Sequence, residues 1–315
     1  MKPASAERFS PIGIDHDERE LRAAQFERSG GVSTLRSVVV LGRSGEGAPG
    51  EEELGRLRGV LARRGFVGDE TAIAPASDAC AFHILELPPE DSGAPIDELT
   101  RVEIVRSGAH ESGDIQFGGW ALPGGRRGTR FVSSVETERV SEAASGVERA
   151  GFVVTRVTPS AMAMFRAASD HERIEDGSIN AVLGIGWRRS EFVVSIGTTP
   201  VYTRRIEHGA ACVLGGGAQA GGARGLVEDL GSNLDSAFSY VSQLYRTEPF
   251  GVTLCSGYLA DDERTLEALA SRIALPVSGL ARAGFGPGTE VIEPTESDAM
   301  TRLNTACGLA LGGAA

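Results

Sequence analysis

The sequence predicts a two-lobed α/β fold with a small α+β subdomain inserted into the first lobe. Three strand-like segments, a helix and a further strand occur in that order near the N-terminus and again after residue 178. Between the two copies, residues 81–151 have a different order of elements. Hydrophobic residues make up 41% and charged residues 23% of the 315 residues, which is ordinary for a globular protein of about two domains.

The first lobe is predicted to cover residues 9–80. It begins with three strands, because apolar and β-branched residues run between turn signals. A helix follows, since leucine and valine recur at helical spacing after residue 51. In order, the predicted elements are strands 9–15, 21–27 and 37–41, helix 51–64 and a strand within 66–74. This order is typical of a ribonuclease-H-like half.

The inserted subdomain is predicted to cover residues 81–151. Its elements are strand 81–87, helix 95–107, strands 114–122 and 130–134, and helix 135–150. Gly151 ends the last helix in the position that glycine favours after a helix C-terminus. A strand at 152–158 and a helix at 160–168 then return the chain to the first lobe, which residues 152–176 and a C-terminal helix at 297–312 complete.

The second lobe is predicted to cover residues 178–296. Its elements are strands 179–185, 191–196 and 199–206, helix 226–245, strand 252–256, helix 259–273 and strand 276–280. The glycine-dense stretch 209–225 is interpreted as a flexible connector. The two copies share the pattern of elements and not the residues, which indicates a weak internal duplication.

Composition excludes several classes of function. Lys2 is the one lysine among 31 basic residues, so a P-loop, a kinase strand lysine and a pyridoxal-phosphate lysine are excluded. A net charge of −12 argues against a nucleic-acid surface. The four cysteines have no metal-ligand spacing and indicate free thiols in a reducing compartment. No signal peptide or membrane span is recognisable, so we expect a cytoplasmic protein without direct membrane insertion.

Seven segments in order carry a family resemblance. They are PIGID at 11–15, HILELPP at 83–89, ELTRVEIVRSG at 98–108, 134–167, 181–209, 252–261 and CGLALG at 307–312. Together they resemble the actin-like ATPase superfamily and, within it, the cytoplasmic type IV pilus assembly proteins of the PilM type. The resemblance covers most of the chain from Pro11 to Gly312. It implies an actin-like fold of two ribonuclease-H-like lobes, in which two β-hairpin turns face each other across a nucleotide cleft.

The resemblance also implies the positions of a nucleotide site. The matching residues are Gly13 and Asp15 on the first turn, Gly184 and Gly186 on the second, and Ser256 and Gly257 on the third. Such turns need small residues so that backbone N–H groups can reach phosphate oxygens. Here charged residues fill 16–20, glycine stands at 184 where the family has an acid, and Trp187 follows Gly186.

These departures predict a vestigial cleft without ATPase activity, with no catalytic residue and no metal ligand. ATP with magnesium is expected to bind weakly or not at all. The alternative is that Arg188 and Arg189 bind phosphate directly, since guanidinium is a good phosphate partner.

The function implied by the resemblance is scaffolding. We expect a component of a type IV pilus or type II secretion-like assembly platform, peripheral at the inner membrane, that binds the cytoplasmic tail of a membrane-anchored partner. In the family this tail docks between the first lobe and the inserted subdomain. Whether the protein forms homo-oligomers stays open. Trp120 and Phe117 are either exposed residues of an interface or half-buried residues of a strand.

Two alternative functions are weighed against scaffolding. One is an active actin-like ATPase or small-molecule kinase. The other is a cell-division filament protein, which would need an amphipathic membrane helix that residues 304–315 do not provide.

Overall fold

The computed structural model describes residues 8–30, 32–43, 47–124, 128–169, 173–215, 222–245, 249–280 and 297–312. Three sheets organise these residues. Two of them have five strands each and the same order, in which an antiparallel three-stranded meander is extended by two parallel strands. The repeated order confirms the predicted pair of related lobes. No helix among the described residues is long and apolar enough to cross a membrane.

The first sheet has the strand order β3-β2-β1-β4-β8. Its strands are β1 Ile12–His16, β2 Glu20–Ser29, β3 Val32–Gly42, β4 Glu70–Ile73 and β8 Val153–Val157. On one face lies helix α1, Glu51–Arg63, whose Leu54, Leu57 and Leu61 are buried against the sheet. On the other face lies the C-terminal helix α9, Asn304–Leu311, with Ala306 and Cys307 buried.

The second sheet has the strand order β11-β10-β9-β12-β13. Its strands are β9 Ile179–Ile185, β10 Ser190–Ile196, β11 Thr199–Ile206, β12 Phe250–Gly257 and β13 Val277–Gly279. Helix α6, Gly222–Leu244, buries a leucine and phenylalanine stripe on one face, and helix α7, Glu263–Ile273, packs beside it. Helix α4, Ser160–Ala168, covers the opposite face and also contacts α9. The layer formed by α4 and α9 therefore joins the two sheets.

The third sheet is antiparallel and contains β5 Cys80–Glu86, β6 Ile115–Ala121 and β7 Thr129–Glu136, in the order β5-β7-β6. Helix α2, Ile96–Ser107, packs on it through Ile104, and helix α3, Thr137–Arg149, follows β7. Trp120 stacks on Phe131 and donates its indole N–H to the carbonyl of Pro200 at 3.0 Å. Trp120 and Phe117 are thus half-buried strand residues, and Trp120 joins this sheet to the second lobe.

Three local predictions need correction. The C-terminal helix is divided into α8 Ser297–Arg302 and α9, because the Asn304 amide bonds the Thr301 carbonyl at the junction. Helix α7 begins at Glu263 and not at 259, since the Asp262 carboxylate caps it by accepting from the Thr265 N–H.

The third correction concerns the glycine-dense stretch. Within it, Ala211–Leu214 form a short helix, α5, and α6 already begins at Gly222. A Cβ at Gly222 would lie 2.3 Å from the Cys212 carbonyl oxygen, so glycine here permits close packing of the two helices. The prediction of a flexible connector is wrong for these residues, while 216–221 lie outside the described residues. The domain boundaries themselves stay a prediction.

Candidate functional site

A cavity of about 830 Å³ lies where the first sheet, the second sheet and helix α3 meet. Its walls include the turn after β1, the turn between β9 and β10, and the end of β12. Five of the six predicted site residues line it: Asp15, Gly184, Gly186, Ser256 and Gly257. The volume is within the range of small-molecule sites in proteins.

Gly13 is the predicted residue that does not line the cavity. A Cβ at this position would lie 1.9 Å from the Ala306 carbonyl oxygen and 2.6 Å from the Ala310 nitrogen, both on α9. Gly308 makes a similar approach from α9 to α4, with a Cβ position 1.7 Å from the Ala163 carbonyl oxygen. Gly13 therefore serves close packing of α9 on β1, and the expectation that it faces the cleft is wrong.

The charge of Asp15 is balanced by Arg22, a residue that was not among the predicted site residues. Arg22, 6% exposed, lies directly opposite Asp15 in the β1–β2 pair. Its guanidinium is 3.0 Å from the Asp15 carboxylate, 2.8 Å from the Asp17 carboxylate and 3.7 Å from the Glu20 carboxylate. Burial raises the pKa of Asp15, an effect that Arg22 opposes.

The other charged residues of the first turn are also engaged within the protein. Burial, with help from Arg43, lowers the pKa of His16 to about 4, so this imidazole is neutral at pH 7. Glu20 accepts a hydrogen bond from Arg302 at 3.1 Å. The run of charges at 16–20, which replaces the small residues expected in a phosphate-binding turn, is in large part balanced by contacts within the protein.

The third turn is occupied by contacts to the C-terminal helices. The Ser256 hydroxyl donates to the Thr301 carbonyl at 3.1 Å and accepts from the Asn304 amide at 3.1 Å. Gly257 has φ +89°, and a Cβ there would lie 2.2 Å from the Ile185 carbonyl oxygen. Gly257 and Ser256 thus hold β12 against β9 and α8. The Ser256 hydroxyl is already hydrogen-bonded within the protein.

A second carboxyl enters the cavity from the second lobe. Glu191 lies directly opposite Gly184 in the β9–β10 pair, so its side chain projects on the same face as a side chain at 184 would. Its carboxylate accepts from the Ser160 hydroxyl at 3.1 Å. Burial raises the pKa of Glu191 to about 7; the hydrogen bond from Ser160 opposes this effect, the nearby Asp15 charge adds to it, and Arg205 opposes it more weakly.

The spacing of both hairpins could have revealed Arg22 and Glu191. In the first lobe Asp15 pairs with Arg22, and in the second lobe Gly184 pairs with Glu191, each seven residues further along the chain. The two pairs occupy equivalent places in the duplicated sheets. The acid expected at Gly184 is therefore replaced by one on the neighbouring strand.

Aromatic and arginine side chains join the three turns. The Arg19 guanidinium lies 4.6 Å from the ring centroid of Trp187, and the Tyr258 ring meets the Trp187 ring edge-on at 5.5 Å. The Tyr258 hydroxyl reaches the Asp17 carboxylate at 3.4 Å. Arg189 contacts Asp78 at 3.3 Å and Glu207 at 3.0 Å, so this candidate phosphate ligand is already ion-paired.

The opposite wall of the cavity is less polar. Helix α3 contributes Ala143, Gly146 and Val147, and the first lobe contributes Leu54 and Ile73. A Cβ at Gly146 would meet no atom within 4 Å, so this part of the wall faces open space. The cavity thus continues from the three turns into a groove between the first lobe and the inserted subdomain.

The residues present do not fit a magnesium–phosphate group. A hard cation requires carboxylate oxygens that are free to coordinate it. The Asp15 carboxylate is paired with Arg22, and burial, which raises the pKa of Glu191 to about 7, disfavours the ionised form of that carboxyl. Within the described part of the chain, no cluster of three or more metal-ligating side chains occurs.

Solved structures with a similar fold exist. No protein-family model matches the sequence, and no curated protein matches it. The fold is similar to that in a solved structure of the PilM–PilN type IV pilus biogenesis complex, with a TM-score of 0.77 and 14% identity over 96% of this chain and 98% of that chain. The predicted actin-like fold is confirmed by this likeness and by the paired sheets.

Two further solved structures have lower scores. A Bacteroides thetaiotaomicron protein with an actin-like ATPase fold aligns at a TM-score of 0.49 and 10% identity over 98% of each chain. The cytoplasmic domain of EpsL, an inner-membrane component of the type II secretion system of Vibrio cholerae, aligns at 0.48 and 12% identity over 95% of this chain and 94% of that chain.

Proposed function

We propose that this chain is a cytoplasmic scaffold of a type IV pilus or type II secretion-like assembly platform. The observation that carries the proposal is the likeness to the PilM–PilN complex, which extends over nearly the full length of both chains. Similarity over both lobes and the inserted subdomain is what a shared assembly role would require. The partner is a membrane-anchored protein whose cytoplasmic tail binds this chain and holds it at the inner membrane.

The groove between α3 and the first lobe is the place that we propose for this tail. Its wall combines apolar side chains with the open surface above Gly146, so an extended segment can lie there without displacing the core. Arg139 and Glu142, which pair with each other at 3.1 Å on the exposed face of α3, border the same wall and place charges of both signs beside it. Main-chain and apolar contacts of this kind are how grooves bind short peptides.

A blocking substitution tests the tail proposal. The probe is a peptide with the sequence of the cytoplasmic tail of the single-span membrane protein encoded beside this chain, titrated by calorimetry. We expect micromolar binding, and binding at least about tenfold weaker for Gly146→Trp, a loss of about 1.4 kcal/mol. The indole would fill the groove, and replacing a helix-interior glycine does not cost helix stability.

Gly55→Trp is the matched control, because Gly55 is also a helix glycine with no atom within 4 Å of its Cβ position, and it lies outside the cavity lining. The control should bind the peptide like the wild type. No detectable wild-type binding, or absence of such a neighbouring membrane protein, would count against the scaffold.

We also propose that the cleft does not hydrolyse ATP. Asp15 is ion-paired with Arg22, Ser256 is bonded to Asn304, and Arg189 is ion-paired with Asp78. A phosphate chain would have to displace these contacts before it could bind. One observation favours the rival view of an active ATPase or kinase, namely the second-lobe carboxyl of Glu191 in the cavity.

Titration with Mg-ATP separates the two views. We expect no heat of binding and no phosphate release above the buffer rate, at concentrations that saturate ordinary nucleotide sites. The same preparation must bind the tail peptide, which shows that it is folded and active. Micromolar Mg-ATP binding with turnover that Glu191→Gln abolishes would establish the enzyme instead.

A further inference from the structure

We propose that Arg19, Trp187 and Tyr258 form a clasp that holds the two lobes in one fixed orientation without any ligand. Arg19 belongs to the first lobe, in the turn between β1 and β2. Trp187 and Tyr258 belong to the second lobe, in the turn after β9 and just beyond β12. The clasp goes beyond the scaffold proposal and does not require a partner or a nucleotide.

The geometry of Trp187 is the centre of the clasp. Its ring is contacted by a guanidinium from the opposite lobe at 4.6 Å and by the Tyr258 ring at 5.5 Å. Tryptophan is the aromatic side chain that attracts a cation most strongly, and arginine is the cation found most often over such rings. The Trp187 side chain is half-buried and also packs against the hydrophobic core of the second lobe.

Polar contacts link the clasp to the buried ion pairs. The Tyr258 hydroxyl reaches the Asp17 carboxylate at 3.4 Å, and the Asp17 carboxylate also contacts Arg22 at 2.8 Å. On the other side of Tyr258, the Arg302 guanidinium lies 5.2 Å from the ring and bonds Glu20. First-lobe charges therefore surround an aromatic ring of the second lobe.

The position of the clasp allows it to hold the cleft closed. It joins the two hairpin turns that face each other across the cleft, and the cavity lies beside it. A second interlobe contact runs parallel to it, from the Thr301 hydroxyl to the Gly257 carbonyl at 2.9 Å. Opening the cleft would have to separate all of these groups at once.

Interlobe distances measured by double electron–electron resonance test the clasp. Spin labels go on cysteines placed at Glu52 of α1 and Ala268 of α7, both exposed, with the partly exposed Cys80 and Cys212 replaced by serine. We expect one narrow distance distribution for the otherwise wild-type protein, unchanged by Mg-ATP. Trp187→Ala and Arg19→Ala are each expected to broaden it and to shift its mean to longer distances.

Arg19→Ala is the variant that decides the outcome. Arg19 is exposed, so Arg19→Ala removes the stack without opening the core. Tyr240→Ala is the control, because Tyr240 is an exposed aromatic residue that contacts Tyr202 within the second lobe, and it should leave the distribution unchanged. A broad wild-type distribution overturns the proposal, as does an Arg19→Ala distribution as narrow as the wild type, whatever Trp187→Ala does.

Discussion

Arg22→Met is expected to lower the free energy of unfolding at pH 7 by about 3–5 kcal/mol, the usual cost of removing one partner from a buried ion pair. Arg22 is 6% exposed and contacts the carboxylates of Asp15, Asp17 and Glu20. Methionine keeps much of the side-chain volume, so the loss reports on charge and not on a cavity. Urea unfolding followed by tryptophan fluorescence measures it.

Two further variants identify the cause of the Arg22 effect. Arg106→Met removes an exposed pair with Glu103 on α2 and should cost less than about 1 kcal/mol. Adding Asp17→Asn to Arg22→Met removes one of the unpaired charges and should recover part of the stability. If Arg22→Met lowers the free energy of unfolding no more than Arg106→Met does, the Asp15 carboxylate is not held by Arg22. The argument that Arg22 makes Asp15 unavailable to a magnesium ion then fails.

The two related sheets could be predicted because the sequence patterns that indicate strands and helices are local. A β-branched meander followed by a helix and a strand recurs in each lobe, and local hydrophobic periodicity reports both element types. The place of Asp15 at the cleft was implied by the family resemblance, and Asp15 is the last residue but one of the first strand of the first sheet. These features need no knowledge of contacts between distant segments.

Gly13 shows what local patterns could not give. The sequence indicates a tight approach at this glycine, and its partner is α9, almost 300 residues further along the chain. A phosphate and a helix backbone both require the absence of a side chain, so the residue type alone cannot distinguish them. The division between α8 and α9 was hidden for a similar reason, since the amide of Asn304 also bonds the distant Ser256 hydroxyl.

Arg22 and Glu191 could in part have been predicted from local patterns. Each is seven residues from a position that the sequence analysis had singled out, across a short hairpin. For Arg22, an opposite charge across an antiparallel pair is a recognised source of sheet stability; for Glu191, the signal is its place opposite Gly184, where an acid was expected. The prediction treated the charges at 16–20 as unfavourable to phosphate binding and did not consider their pairing across the hairpin.

Glu191→Gln is expected to stabilise the protein at pH 8 by up to about 3 kcal/mol, and to have little effect at pH 4. Burial is the main reason that the pKa of Glu191 rises from 4.5 to about 7 in the folded state. Each unit of pKa difference between the folded and unfolded states corresponds to about 1.4 kcal/mol. Glutamine keeps the hydrogen bond from Ser160 and carries no charge at any pH.

The sign follows from which form the fold favours. The folded protein prefers the protonated carboxyl, so the contribution of Glu191 to stability is complete below about pH 4.5, the unfolded value, and is lost as the pH rises through 7. The stability difference between Glu191→Gln and the wild type should therefore grow between these two pH values and then level off. Urea unfolding at several pH values measures this difference directly.

Glu138→Gln provides the comparison, because Glu138 is exposed on α3 and its replacement should change stability by less than about 0.5 kcal/mol at either pH. A difference for Glu191→Gln that stays flat with pH would mean that the folded protein tolerates an ionised carboxylate there. The second lobe would then offer a charged group to a cation in the cavity. An active ATPase would need such a charged group. The pH dependence of the stability change caused by Glu191→Gln therefore also tests the proposal of a vestigial cleft.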